Sequence, residues 1–479
     1  MSGFIEGVDR CQATLFPDRL EDWICEDNPI RVIDLFVDEI DLEQMGFLRT
    51  APARTGRPGY HPSVLLKLFI YGYLNRVPSS RALEREAGRN VEVMWLTGRL
   101  APDHKTIPDF RSENGPAIRR NCAQFVQLCR RVGVLKGDCV AIDGSNFKAI
   151  NNRDKNFTKG KIKSRTAHLV ASIQRYLDDM TRIDRQEEGE VRAEKIANLA
   201  QRCERIRQEI ARLVDMREAL EQSPVSQISL TDPDSRSMAT SARGSGFVGY
   251  NAQSAVDTET HLIVAHDVIN AGHDRDQLAL MAKAAKVALG RDAMNVVADK
   301  GYFSGREILA CDEDGIITTL PRPETSGNRK KGRYVKADFA YDASADVYRC
   351  PADETLSYRY TTEESGLAVR RYWTTSCLNC PMKARCTTGR ERRISRWEHE
   401  QLVDEMQERI NDNPNLMSLR RSTVEHPFGT IKAWMGATHF RMRRLKNVRT
   451  EMAFHVLAYN IKRMISLVGV RGLLAAIPA

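Results

Sequence analysis

The spacing of apolar residues divides the chain into a helical first part and a mixed second part. Apolar residues recur at three- and four-residue intervals through residues 62–75, 80–87, 91–96 and 116–134, the period of an amphipathic helix. Three short helices with tight turns over residues 62–96 have the outline of a helix-turn-helix. A DNA-binding function and a plain helical subdomain both fit this outline.

Short β-type runs replace the helical period from residue 138 onwards. Three such runs, then a helix, a strand, a helix and a strand, predict a mixed α/β sheet covered by helices. The runs and helices cover residues 138–145, 246–256, 261–269, 274–290, 295–302, 304–312 and 316–320. Between the first two strands, residues 168–222 carry apolar residues at helical spacing, which predicts an inserted helical hairpin with coiled-coil character.

Two acidic residues follow strand-like runs at positions where chemistry is expected. Asp143 and Asp299 each end a run, and open α/β sheets bind ligands outside the carboxyl ends of their strands. A third acid, Glu425, stands four residues after Arg421 and seven before Lys432, so these three share one helical face. Each acid alone fits a turn former or a solvated ion pair. Together they predict carboxylate ligands for divalent cations that assist phosphoryl transfer, beside cations that hold phosphates.

The segments around these acids occur in an order typical of a known family. They are residues 142–145, 298–302 and 424–432, with residues 232–236, 249–253 and the N-terminal helices through residues 105–111. In this order they resemble the bacterial insertion-sequence transposases, which have a ribonuclease-H-like DDE catalytic domain. The family's wider third signature has a tyrosine where this chain has Ser418.

The resemblance implies a fold class, an activity and a set of partners. We expect an α/β protein with a ribonuclease-H-like mixed sheet flanked by helices, an all-α N-terminal domain and two insertions. Asp143, Asp299 and Glu425 would hold Mg²⁺ or Mn²⁺ for cleavage at the inverted repeats and for strand transfer. The partner would be double-stranded DNA, bound by a homo-oligomer. A non-mobile nuclease of the same fold and a catalytically inactive DNA-binding protein stay open as alternatives.

A basic excess supports a polyanionic partner. Lys and Arg number 72 against 63 Asp and Glu, a net charge of +9, although the first 50 residues are acidic. The densest basic segment is residues 420–449, where Trp434 and Phe440 are interleaved, which predicts contacts with phosphates and unstacked bases. A solvated helix face is the alternative. The predicted DNA-binding residues are Lys300, Arg421, Lys432, Arg441, Arg443 and Arg444.

Four of the eleven cysteines have a spacing typical of a metal site. Two residues separate Cys377 from Cys380, which is the spacing of a zinc knuckle, and Cys350 precedes this pair while Cys386 follows it. Four thiolates would complete a tetrahedral structural Zn²⁺ site in a basic insertion. Four reduced thiols in a small cysteine-rich insertion are the alternative.

The whole chain therefore divides into four expected units. They are a helical DNA-binding domain (1–134), a first part of the catalytic core with the hairpin (135–325), a basic cysteine-rich insertion (326–400) and the C-terminal helices of the core (401–479). The N-terminus shows no secretory signal, and the chain has no apolar run of the roughly 20 residues that a membrane span requires. We expect a cytoplasmic, nucleoid-associated protein with no membrane role.

Overall fold

The computed structural model describes residues 19–52, 55, 58–186, 189–222, 227–238, 246–324 and 326–477. The first part is helical, as predicted, and the four helices expected over residues 62–75, 80–87, 91–96 and 116–134 begin and end within three residues of those bounds. Local signals set these ends, because Asn90 caps one helix by accepting from the backbone N–H of Glu92 and Val93, and Gly98 ends it at φ 60°. The helices are α1 (Pro29–Asp38), α2 (Pro62–Leu74), α3 (Ser80–Ala87), α4 (Val91–Thr97), α5 (Thr106–Glu113) and α6 (Gly115–Arg131).

A mixed sheet follows, together with the two helices of the hairpin and two helices that pack on the sheet. Its elements are β1 (Cys139–Lys148), β2 (Asn156–Thr158), α7 (Lys159–Gln186), α8 (Glu190–Gln222), β3 (Gln227–Ser229), β4 (Arg236–Met238), β5 (Phe247–Asp257), β6 (Ile263–Ile269), α9 (Leu278–Leu289), β7 (Met294–Ala298), α10 (Gly305–Asp312) and β8 (Ile316–Thr319). The main order is β4-β5-β1-β7-β8, and β6 also pairs with β5. β5 runs antiparallel to β1, β4 and β6, whereas β1, β7 and β8 run parallel. This confirms the predicted mixed α/β sheet.

The inserted hairpin is present but longer than predicted. Its first helix, α7, begins at Lys159 rather than at residue 168, directly after a short ribbon of β2 and β3. The reason is that the apolar stripe extends to the ribbon, where Phe157 and Ile162 cluster with Leu213 and Leu220 of α8. The predicted turn around Glu187 and Glu188 lies outside the described residues.

The cysteine-rich insertion contains a second sheet. Its strands are β9 (Ala340–Asp342), β10 (Val347–Arg349), β11 (Thr355–Glu364), β12 (Leu367–Trp373) and β13 (Ile394–Trp397). They form an antiparallel meander in the order β13-β12-β11-β10-β9. Five side chains form a small core for this sheet, separate from the main one: Phe339, Tyr348, Leu356, Tyr372 and Ile394.

The last helices close the structure over the mixed sheet and the N-terminal part. They are α11 (Glu400–Asp412), α12 (Leu416–Gly429), which continues as a π-helical turn over Thr430–Trp434, and α13 (Leu445–Ala476). α13 packs against α2, α6 and β6, and Phe454 stacks on Phe69 and Tyr73 of α2 with ring centroids 5.1 Å apart. One hydrophobic cluster therefore joins the N-terminal helices, the mixed sheet and α13. None of the described helices is both long enough and apolar enough to cross a membrane.

Candidate functional site

Asp143 and Asp299 lie side by side on two neighbouring parallel segments. Only Asp299 follows the end of its strand as predicted, because β1 continues past Asp143 to Lys148, paired with β5. The register of β1 and β7 pairs Ile142 with Ala298, and the two acids are the next residues on each strand. Paired positions of parallel strands face the same side of the sheet, about 4.8 Å apart. Two positions predicted from the sequence therefore become one acidic pair.

The acidic pair has a cation of its own. Arg420 Nη2 lies 3.0 Å from Asp143 Oδ2, and the two side chains are 14% and 23% exposed. Burial raises the pKa of the Asp143 carboxyl, while Arg420 opposes that rise and the charge of Asp299 adds to it. Arg420 was predicted only as part of the basic segment 420–449, and its pairing with Asp143 was not. It precedes the sheet-facing Val424 by four residues, and that spacing is the signal that indicates its direction.

Helix α12 covers the face of the sheet that bears the acidic pair. Val424 packs against Ala141 and Val297, two residues before each acid. Arg421 and Glu425 directly follow Arg420 and Val424, the two residues that face the sheet, and both are exposed. Within the described part of the chain neither forms a hydrogen bond or an ion pair, and no three Asp, Glu, His or Cys side chains already form a metal-binding group. The structure thus brings two of the three predicted ligands together and leaves Glu425 on the covering helix.

Lys432 reaches the carboxyl end of β1 from the π-helical turn. Its Nζ donates to Ser145 Oγ at 2.7 Å and to the Asn146 carbonyl at 2.9 Å, and it lies 4.5 Å from the centroid of the Phe147 ring. Burial lowers the pKa of Lys432. Its ammonium group is therefore held near the acidic pair rather than extended into solvent.

A basic loop, residues 441–446, follows the π-helical turn and has a fixed backbone. The Arg441 and Met442 N–H groups donate to the carboxylate of Glu451 at 2.8–2.9 Å. The Arg444 N–H donates to Asp232 Oδ1 at 2.9 Å, and the Leu445 N–H donates to Asp234 Oδ2 at 2.8 Å. The two aspartates therefore cap the start of α13. They belong to residues 232–236, one of the segments that carry the family resemblance, and their role in the structure is to hold this backbone.

The side chains of this loop remain available to a ligand. Arg441, Arg443 and Arg444 are exposed, and in the ranges that the structure describes their guanidinium groups have no ion-pair partner. The exposed Lys300 follows Asp299 directly. The predicted aromatic contacts need a correction: Trp434 is 59% exposed, but Phe440 is 1% exposed. Phe440 is unable to stack on a base because it packs against Phe147 and Tyr250 in the core.

Asp274 is a further acid at this site that sequence reasoning missed. Its Oδ1 accepts from Asn251 Nδ2 and from Gln253 Nε2, each at 2.6 Å. Gln253 Oε1 in turn accepts from the hydroxyl of Tyr302, whose pKa is held well above its usual value by burial and by the charges of Asp274, Asp143 and Asp299. The sequence indicated only the start of a helix at residue 274. The helix begins instead at Leu278, and Asp274 lies in the preceding loop.

The four predicted zinc ligands line one pocket of the insertion. Cys350 follows β10, Cys377 lies in a short 3₁₀ helix, Cys380 follows that helix, and Cys386 ends the next turn. All four thiols line the same pocket and are partly buried. Burial raises the pKa of Cys386, and the other three thiols act in the same direction. The chemistry of this donor set fits Zn²⁺.

Comparisons with known proteins match both ends of the described structure. Residues 18–113 match the family described as "Transposase domain (DUF772)", and residues 349–465 match the family described as "Transposase DDE domain". The second match includes Glu425, Arg421 and the four cysteines, whereas Asp143 and Asp299 lie between the two matches. No curated protein matches the chain. A cryo-EM structure of a piggyBac transposase synaptic complex with hairpin DNA aligns with 94% of this chain and 79% of that chain, at 9% identity and a TM-score of 0.33.

The helical first part and the last part of the chain are both transposase domains by these matches. Both matches are to transposase families, and together they indicate a DDE-type DNA transposase enzyme. The interpretation made from the sequence is confirmed at that level.

Proposed function

We propose that this transposase cuts DNA at the terminal inverted repeats of an insertion element and joins the freed 3′ ends to target DNA. The observation that carries the proposal is the acidic pair, Asp143 and Asp299, directly after the last paired residues of β1 and β7. Three antiparallel strands, β1, β5 and β6, followed by the parallel β7 and β8 support a ribonuclease-H-like core. Phosphoryl transfer at such a site depends on positioning and on charge stabilisation.

The donor chemistry of the site fits a hard divalent cation. Asp143 and Asp299, with Glu425 from the covering helix, would hold Mg²⁺ or Mn²⁺ through carboxylate oxygens. When bound, such an ion lowers the pKa of an attacking water or 3′-hydroxyl and neutralises charge on the phosphate. Arg420 pairs with Asp143 and partly opposes the rise in the pKa of this carboxyl that burial causes.

The basic residues around the acidic pair have two separate tasks. Lys300, Arg421 and Lys432 lie on the elements that carry the acids and would hold the scissile phosphate. Arg441, Arg443 and Arg444 would follow the backbone of double-stranded DNA further away. Phosphate contacts of this kind fix the position of the duplex without reading its sequence, so we assign recognition of the inverted repeats to the N-terminal domain, residues 1–134.

The remaining units organise the assembly. Residues 135–325 and 401–479 would form the catalytic core. In the insertion, residues 326–400, Cys350, Cys377, Cys380 and Cys386 would hold a Zn²⁺ ion that links four separate segments. Two element ends must be handled together, so we propose a homo-oligomer on DNA, with the α7–α8 hairpin (168–222 in the sequence prediction) as a contact surface. Its place of action would be the nucleoid in the bacterial cytoplasm.

A strand-transfer assay tests the catalytic proposal. The substrate is a labelled duplex from the DNA that flanks the coding frame, with a pre-cleaved 3′ end, Mg²⁺ and a supercoiled target. We expect wild-type protein and an Asp276→Asn control to join the end to the target. Asp143→Asn, Asp299→Asn and Glu425→Gln should bind the duplex normally and lose joining by at least about 10³-fold.

The products separate the proposal from its rivals. Hydrolysis without joined products would identify a nuclease of the same fold. Binding with no cleavage in wild-type protein, under any tested divalent ion, would identify an inactive DNA-binding protein. Joining that persists in Asp299→Asn would refute the assignment of the acidic pair.

A further inference from the structure

Asp274 lies at the acidic pair with one carboxylate oxygen fixed and the other free. Its loop connects β6 to α9, and its Oδ1 accepts two amide hydrogen bonds from β5, each at 2.6 Å. In the described ranges its Oδ2 accepts no hydrogen bond. The side chain is thus held in one orientation while one anionic oxygen has no protein donor.

Two glycines show how close this carboxylate is to Asp143 and Asp299. A Cβ placed on Gly301 would lie 2.8 Å from Asp299 Oδ1 and 3.8 Å from Asp274 Oδ2. A Cβ placed on Gly144, the residue after Asp143, would lie 2.6 Å from Asp274 Oδ1. The Gly144 position is filled by the Gln253 amide nitrogen, at 2.4 Å, and by Asp274 Oδ1. The Gly301 position, by contrast, separates Asp299 Oδ1 from Asp274 Oδ2 by only a small space.

A buried acceptor without a donor lies beside the Asp274 carboxylate. Asn251 is 4% exposed, and its Oδ1 has no hydrogen-bond partner in the described structure. The orientation of this amide is fixed because its nitrogen donates to Asp274. Its Oδ1 is 2.8 Å from the Cβ position of Gly144. A buried polar atom without a partner is unfavourable, and a bound cation would remove that penalty.

We propose that Asp274 is a further carboxylate of the cation site, which presents its free Oδ2 toward Asp299 with Asn251 Oδ1 as a neutral neighbour. The inference deepens the proposed function and rests on it for the nature of the ion. Gln253 links Asp274 to Tyr302, which follows Asp299 by three residues. Side chains that hold a ligand in place in this way typically change metal affinity 10–100-fold when they are altered.

The substitution Asp274→Asn separates a ligand from a purely structural residue. An asparagine keeps one oxygen to accept from Asn251 and Gln253, but it replaces the free oxygen with an NH₂ group that is unable to bind a cation. The matched control is Asp276→Asn, an exposed acid two residues away. Asp299→Asn serves as the positive control for loss of the ion.

Calorimetric titration of the full chain with Mn²⁺ alone gives the readout. We expect Asp274→Asn to weaken Mn²⁺ binding by about 10-fold or more, as Asp299→Asn does, while Asp276→Asn binds as the wild type. Asp274→Glu, which keeps the charge, should bind more tightly than Asp274→Asn. Thermal melting without metal reports whether each variant is folded. If Asp274→Asn has a lower melting temperature than the wild type, the Mn²⁺ affinity of Asp274→Glu is compared with that of the wild type instead.

Each outcome bears on one of the two proposals. Wild-type affinity in Asp274→Asn, together with its loss in Asp299→Asn, overturns this inference and leaves the proposed function standing. Weakened Mn²⁺ binding in Asp274→Asn without strand transfer by the wild type supports this inference and refutes the proposed function. A wild-type chain that binds no Mn²⁺ overturns the cation site.

Discussion

Replacing Glu451 by alanine should release the basic loop from the core of the protein. Glu451 is 1% exposed, and its carboxylate accepts the backbone N–H groups of Arg441 and Met442. Without it, two N–H donors lose their acceptor, at about 1–3 kcal/mol each. We therefore expect Glu451→Ala to lower the free energy of unfolding by about 2–6 kcal/mol and to weaken DNA binding.

Glutamine at the same position separates the acceptor from the charge. Glu451 Oε2 alone accepts from both N–H groups, at 2.9 Å and 2.8 Å, so one amide oxygen is able to replace it. Burial raises the pKa of Glu451, and the nearby Arg111 only partly offsets this. The uncharged Glu451→Gln should therefore cost about 1 kcal/mol or less at neutral pH and should keep DNA binding.

The raised pKa also gives the sign of a pH effect. The folded protein holds the Glu451 proton to a higher pH than the unfolded chain does. The stability of the wild type relative to Glu451→Gln is therefore greatest below the unfolded pKa and falls as the pH rises through the folded pKa. Urea unfolding of both proteins from about pH 4, near the usual carboxyl pKa, to about pH 8 measures this difference in stability.

Unfolding and DNA binding are measured together on both variants. Salt-dependent binding to a labelled duplex reports the loop, and Glu408→Ala on the exposed side of α11 is the control for loss of an acid. Wild-type stability in Glu451→Ala would refute the view that this carboxylate fixes the loop. A loss in Glu451→Gln equal to that in Glu451→Ala would show that charge, rather than acceptance, is what matters.

Three further predictions concern the other sites. The purified chain should carry one equivalent of Zn²⁺ that Cys380→Ser removes and Cys25→Ser retains, and metal analysis that finds zinc in both variants would contradict the four-thiol site. Gly144→Ala should abolish strand transfer but not DNA binding, because a Cβ at this position would lie 2.6 Å from Asp274 Oδ1. Gly429→Ala should stay active, because a Cβ there has nothing within 4 Å. Equal strand-transfer activity of the two variants would refute the predicted clash with Asp274. Arg443→Ala should reduce the slope of log affinity against log salt by about 1, and an unchanged slope would exclude a phosphate contact.

The acidic pair was predictable because its cause is local. A β-type run that leads into Asp is visible in the sequence, and the two strands that carry these acids pair in parallel. Asp143 and Asp299 therefore needed no knowledge of distant contacts. The predicted end of the first run was wrong, because β1 continues to Lys148 through its pairing with β5. The hairpin and the N-terminal helices were predictable for the same reason, because a helical period is a property of neighbouring residues.

The partners of the pair depend on long-range packing, which the sequence does not display. Arg420 differs from Arg421 only in its position on α12, and one step around the helix decides which of them meets Asp143. Asp274 lies in a loop without a period, and its role depends on two amides of β5 more than 20 residues earlier. Phe440 was misplaced because its burial depends on Phe147 and Tyr250.

The shared core connects the proposed DNA-binding surfaces to the proposed catalytic site. α13 begins at the basic loop, whose backbone Glu451 holds, and it continues to Phe454, which stacks on Phe69 of the N-terminal part. The π-helical turn before that loop places Lys432 on the end of β1. The DNA contacts proposed for the loop and for the N-terminal helices would therefore belong to the same packed unit as the acidic pair. A duplex held by both surfaces would be positioned for reaction without a separate docking step, because binding energy at remote contacts orients the reacting phosphate.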